Sequence, residues 1–188
     1  MDHLDAFLTL SPIEKEELTK RASLKKYKRR QFLLSEGEVC QNYAFVSKGC
    51  FKTYKVDEAG KEHNIMFAVE NQWAADIGSF HSEKPSALYI EAVEPSEVLL
   101  LHKKDMIYFY THFYSFNRTF RVMVEDNFVD LQNRLIQMIS TTAEERYFDF
   151  VKRFPDLDNR LSNAQIASYI GITPEFLSRI RNGLANRP

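Results

Sequence analysis

The chain has 188 residues, with 25 Lys and Arg against 26 Asp and Glu and 44% hydrophobic side chains, which suits one large domain or two small ones with real cores. Six Gly and six Pro leave no low-complexity linker, and no twenty-residue apolar run exists to span a bilayer. The opening "MDHLDAFLTLSPIEKEEL" is charged and amphipathic instead of a basic leader with an apolar block, and Cys40 and Cys50 have no Cys-x-x-Cys or paired His; a reduced, cytoplasmic protein without zinc or disulfides is expected.

Ser11-Pro12 before "IEKEEL" reads as an N-cap, a proline at N1 and an acidic first turn, so a short helix is expected to end near Ala22. The basic run "KKYKRR", residues 25–30, falls between this helix and the first strand and reads as a solvated face. From Tyr27 to about Leu101 the runs "AFVSKGCFKTYKV", "HNIMFAV", "ALYIEAV" and "EVLLL" are β-branched and aromatic, divided by Gly49, "DEAGKE", "SEKPS" and "EPSE". Such spacing predicts an antiparallel barrel or sandwich, with "DEAG" as a hairpin turn. The aromatic block "IYFYTHFYSF", residues 107–116, is expected to fill core.

The period then changes. Phe120, Val124, Phe128, Leu131, Leu135 and Met138 recur on one face of a helix expected over residues 117–140. About 24 residues at 1.5 Å each would run roughly 36 Å, longer than so small a barrel needs for cover, so part of the stripe is free to meet a partner. An apolar stripe alone does not distinguish a partner from the chain's own barrel. Asn127 lies near the seam, where a polar side chain fixes register, touches a ligand or faces solvent. Beyond it "AEERYFDFVKRF" predicts another helix, stopped before Pro155, and "PDLDN" a polar turn.

Ser162-Asn163-Ala164-Gln165 is a capping box, so a helix is expected there that buries Ile166 and Ile170 and ends at Gly171. Thr173 caps a second helix with Pro174 at N1; two helices joined by so short a turn make a helix-turn-helix. In the second helix Phe176, Leu177, Ile180 and Leu184 form the apolar side, while Glu175, Ser178, Arg179 and Asn182 stand at i, i+3, i+4 and i+7 on the other. Arg forks onto guanine O6 and N7, Glu accepts from cytosine N4, and Ser and Asn are short adaptable partners. From Asn159 onward there are four Arg (160, 179, 181, 187) and one acid, Glu175, so positive charge is concentrated where phosphates would be met. Arg181 and Arg187 are the expected phosphate contacts.

With these residues in place the chain resembles a Crp/Fnr-type transcription regulator over nearly its whole length. The matching residues are "LLSEGEVCQNYAFVSKGCFKTYKVDEAGKE", "WAADIGSF…PSALYIEAV" and "QIASYIGITPEFLSRI", the last with the E-x-x-S-R pattern of the Fnr branch at Glu175, Ser178 and Arg179. The resemblance implies an α+β fold: residues 1–116, an N-terminal helix and a cyclic-nucleotide-binding-like antiparallel barrel or jelly roll; 117–140, a long dimerisation helix; 141–188, a helix-turn-helix domain. It implies double-stranded DNA with a palindromic site, a second copy of the chain and RNA polymerase as partners, no membrane, and an effector pocket at Asp76, Ile77, Gly78, Ser86, Ala87 and Asn127.

Asp76 and Pro85 stand where the family's cyclic-AMP binders place Glu on the ribose and Arg on the phosphate. Without the guanidinium the strongest charge-assisted contact is lost, which argues against cyclic AMP; the Ser86 and Ala87 amides still suit an anion, leaving room for an unidentified small-molecule effector. Only Leu184 to Pro188 follow Gly183, too few residues for the β-hairpin wing that the resemblance implies. His63, His81, His102 and His112 lack ligand-pair spacing, and no nucleophile-base motif or phosphate loop occurs, so neither a metal or other cofactor nor enzymatic activity is expected. The competing reading is a ligand- or partner-binding barrel whose C-terminal helices merely pack, without specific DNA binding.

Overall fold

The structure, a computed structural model, describes residues 11–185, with side chains through Gly183. The expected α+β architecture with antiparallel sheets is observed. It divides into two compact units: one holds the chain up to Val56 with Ile65–Val124, the other Asp57–Asn64 with the chain from Glu125 onward.

The first unit opens with α1 (Pro12–Arg21), whose N-cap Ser11 and N3 residue Glu14 close the capping box. The strands are β1 (Ser23–Tyr27), β2 (Phe32–Leu34), β3 (Asn42–Lys48), β4 (Phe51–Val56), β5 (Glu62–Ala68), β6 (Trp73–Ala74), β7 (Tyr89–Ala92) and β8 (Ser96–His102). They form two four-stranded sheets, ordered β1-β8-β3-β6 and β2-β7-β4-β5. The β3–β4 turn needs Gly49: its φ is +94°, and a Cβ there would collide with Ser96. Residues of "KKYKRR" belong to the sheet and do not precede it. Lys25 and Lys26 lie in β1, which is an edge strand, and Lys26 pairs with Glu97 of β8 at 2.8 Å. Charge on such an edge discourages pairing with another chain.

Between β6 and β7 lies the short α2 (Ile77–Ser82); after β8 come α3 (Lys103–His112) and α4 (Tyr114–Ser140). The aromatic block is core as expected: Phe109 and Phe116 are fully buried with ring centroids 4.7 Å apart. They join Phe45, Phe51, Ile90 and Leu101 inside the sheets. Tyr114, in the same block, is exposed.

The second unit contains the end of α4, then α5 (Ala143–Arg153), α6 (Leu157–Arg160), α7 (Asn163–Ile170) and α8 (Pro174–Ala185). The "PDLDN" segment, read as a polar turn, contains a one-turn helix, because Leu157 is buried at 1% exposure and anchors it in the core. Tyr147, Phe150, Phe154, Leu161, Ile166 and Ile170 complete that core. Among the described residues no helix is long and apolar enough to cross a membrane.

Candidate nucleic-acid interface and ligand cavities

Helix α7 starts where the Ser162 hydroxyl accepts from the Gln165 amide at 3.3 Å and Gln165 Oε1 accepts from the Ser162 amide at 2.9 Å. It stops at Gly171, whose φ of 74° and ψ of 40° are left-handed; a Cβ there would also strike Met138 of α4. Thr173 Oγ1 then accepts from the Phe176 amide at 3.2 Å and starts α8. Ile166, Ala167 and Ile170 of one helix, and Leu177 and Ile180 of the other, are all buried, which fixes the pair as a helix-turn-helix.

With that side buried, Glu175, Arg179 and Asn182 are all exposed on the opposite face of α8. The Arg179 guanidinium sits 4.9 Å from the centre of the Phe176 ring. Phe176, expected on the apolar side, is 38% exposed and acts as a platform beneath that arginine. The Glu175 carboxyl is held below its usual pKa by its own backbone N–H first and the Thr173 hydroxyl second, so it stays ionised and able to accept. Ser178 is half-buried and partly committed: its hydroxyl donates to Pro174 O at 3.0 Å and accepts from Asn163 Nδ2 at 3.1 Å.

Arg181 corrects an expectation. It stands two residues after Arg179, so the 100° step of the helix carries it round to the inner side. There it pairs with Asp158, bonds Asn163 Oδ1 and donates from Nε to Tyr147 Oη at 3.2 Å. Burial works to lower its pKa, but the Asp158 and Tyr147 hydrogen bonds outweigh that and raise it. The side chain is structural mortar and not an outward cation. Arg187 and the Leu184 side chain lie outside the described residues.

The cassette of the first unit is organised differently from expectation. Asp76 is the N-cap of α2: Oδ1 accepts from the Ser79 amide at 3.2 Å, and Oδ2 accepts from the Ser86 hydroxyl at 2.6 Å. The Ser86 amide, expected to face an anion, donates to Glu38 O at 2.8 Å. Ile77, Gly78 and Ala87 are exposed in the first unit, and Asn127 is half-buried on α4 in the second unit. One cavity of the barrel measures about 220 Å³ and is lined by Leu33, Leu34, Val39, Cys40, Ala74 and Ile90 together with Glu38, Gln41 and Asn42. Burial raises the Cys40 pKa, so its thiol is not a ready nucleophile. Among the described residues no group of three or more His, Cys, Asp and Glu is arranged to hold a metal.

One feature answers to the stripe expected on the long helix, and a second was not found from the sequence. On α4, Phe128, Leu131, Leu135, Met138 and Ile139 are exposed, while Phe120 of the same stripe is buried in the first unit. Around Arg134 the second unit is tied by long-range polar contacts: its guanidinium donates to Asn64 O at 3.1 Å and Tyr169 O at 2.7 Å and lies 3.8 Å from the Tyr169 ring centre. Ser168 Oγ donates to Glu62 O at 2.9 Å and accepts from the Asn64 amide at 2.9 Å. The sequence signal was faint, a lone cation inside an apolar stripe with partners 70 and 35 residues away.

Comparison with known proteins now bears on this arrangement. Residues 24–112 match the cyclic nucleotide-binding domain family. FixK2 from Bradyrhizobium japonicum superposes with a TM-score of 0.75 at 20% identity, over 87% of this chain and 84% of that one. A transcriptional regulator of the Crp/Fnr family from Thermus thermophilus gives 0.71 at 11% identity, over 87% and 86%. The chain shares the Crp/Fnr fold. A CooA mutant from Carboxydothermus hydrogenoformans gives a TM-score of 0.74 at 16% identity, over 93% of this chain and 81% of the other. No curated protein matches the chain.

Proposed function

We propose that this chain is a sequence-specific DNA-binding transcription regulator of the Crp/Fnr type, acting in the cytoplasm as a homodimer. The observation that carries the reading is the polar face of α8: Glu175, Arg179 and Asn182 are solvent-exposed on the second helix of a helix-turn-helix whose other side is sealed. Residues 174–183 would enter a major groove one helical turn from the partner's copy, which requires a palindromic site. Residues 1–116 serve as the sensor, 117–140 as the dimer helix and 141–188 as the reader, with RNA polymerase as the further partner. Exposed apolar side chains at Phe128, Leu131 and Leu135 support the dimer.

Arg179 and Glu175 read bases in this proposal, with Ser178 and Asn182 beside them and Thr173 at the helix start. Selection of the protein on a randomised duplex library at two salt concentrations tests it: one preferred, two-fold symmetric sequence is expected, with affinity falling as salt rises. Binding that is equal for all sequences would overturn it. Cyclic AMP is not the effector in this scheme, since the phosphate-facing position is Pro85 and Asp76 is occupied by Ser86. A low-micromolar constant for cyclic AMP by calorimetry would contradict that.

A further inference from the structure

A second cavity, of about 340 Å³, opens within the second unit between α4, α5 and α7. That volume lies in the range of small-molecule sites, roughly 300–1,000 Å³, whereas the barrel cavity falls short of it. Four cationic side chains line it, Arg134, Arg146, Lys152 and Arg153, against two acids, Asp130 and Asp149. One acid is ion-paired and the other is hydrogen-bonded but keeps its charge, so the lining remains net positive by two. Asp130 Oδ2 pairs with Arg153 at 2.6 Å, and Asp149 Oδ2 accepts from Gln137 Nε2 at 2.7 Å.

Arg146 and Lys152 are left without a carboxylate among the described residues. Arg146 is held in place by carbonyls alone, Nε donating to Ile170 O at 2.9 Å and Nη1 to Thr141 O at 2.6 Å, so its charge is positioned but not neutralised. Lys152 is exposed on the same helix. Met138, Phe150, Tyr169 and Ile170 supply an apolar wall to the same space. Fixed positive charge beside an apolar wall is complementary to a ligand with one anionic head and one apolar body.

We propose that this cavity binds a small organic anion, its phosphate or carboxylate head beside Arg146 and Lys152 and its apolar body against Phe150 and Met138. Such a ligand would touch α4, α5 and α7 together and so restrain the first helix of the reader against the long helix. That consequence for DNA binding rests on the function proposed above; the binding itself does not.

Phenyl phosphate is the probe, with inorganic phosphate carrying the head alone and phenol the body alone. Calorimetry on the full chain without DNA should give saturable binding of one phenyl phosphate per chain, with inorganic phosphate weaker and phenol undetectable. Lys152→Glu should weaken phenyl phosphate about tenfold or more, because an attraction becomes a repulsion. Lys104→Glu, an exposed change on α3 of the first unit, should leave it unchanged. No saturable binding, or equal binding to wild type and Lys152→Glu, overturns the proposal. Equal affinity for inorganic and phenyl phosphate overturns the role of the apolar wall. None of these readouts depends on DNA, so failure here and failure of the regulator reading are separable.

Discussion

The polar residues of the α2 cassette and those of the outer face of α8 are alike in kind and opposite in fate. In the cassette, Asp76, Ser79 and Ser86 bond one another and the neighbouring backbone: Ser79 Oγ donates to Lys84 O at 2.6 Å, and Ser86 Oγ donates to Asp76 at 2.6 Å. On α8, Glu175, Arg179 and Asn182 stand in solvent. A buried polar group must be paired to avoid its desolvation cost, and once paired it has little left for a ligand. The contrast separates residues that look functional in sequence from residues whose bonding capacity is still open. The four experiments below press on it.

The largest effect is expected away from polar groups altogether. Leu135 is 67% exposed in the single chain and belongs to the proposed seam of α4. Leu135→Glu would bury an unpaired charge there and cost the dimer about 3–5 kcal/mol, two orders of magnitude or more in dissociation. Sedimentation should show a monomer at concentrations where the wild type is paired, with affinity for the symmetric site lost in parallel. An unchanged mass would place the seam elsewhere.

Arg181 and Arg179 are two residues apart and should fail in opposite ways. Arg181→Met leaves Asp158 without its cation in a partly buried place; with allowance for solvent screening the fold should lose about 2–3 kcal/mol. A urea midpoint that does not move would return Arg181 to the outward face. Arg179→Ala should leave the midpoint within about 0.5 kcal/mol and cost about 1–3 kcal/mol on the preferred duplex, flattening discrimination at one base pair. Wild-type preference at every position after that change would mean that the reading face was misassigned.

This pair also marks where the sequence was legible. Periodicity and caps are local, so α1, the strands, the capping box at Ser162 and the left-handed Gly171 could all be read from a few neighbouring residues. Helical phase identified Glu175 and Arg179 as outward, but Arg181 was assigned by its charge and not its phase. What could not be read were choices settled by distant partners. Asp76 and Ser86 pair across α2 and the turn after it, Arg134 binds carbonyls at Asn64 and Tyr169, and Leu157 is drawn into a core built by other helices. Charge and turn propensity describe what a residue offers; only the fold decides which offers are taken up internally.

The smallest effect concerns Glu14, a paired carboxylate of the first unit. It is 2% exposed; Oε2 accepts from the Ser11 amide at 2.7 Å, and the Ser115 hydroxyl donates to Oε1. Burial acts to raise its pKa, but the Ser115 and Ser11 hydrogen bonds prevail and the pKa lies below the usual 4.5. The folded chain therefore binds this proton less readily than the unfolded one. Its stabilising contribution is complete above pH 4.5 and is lost as pH falls through the lower folded value. Glu14→Gln keeps a capping-box side chain but cannot ionise, so at neutral pH it should cost less than about 1 kcal/mol. The gap between the thermal midpoints of variant and wild type should then narrow as the pH is taken below 4.5, because the protonated Glu14 resembles the glutamine. A gap that stays constant through the acid range would show that Glu14 does not titrate across folding, and that its hydrogen bonds, unlike those of a charged carboxylate, are worth the same with the proton on.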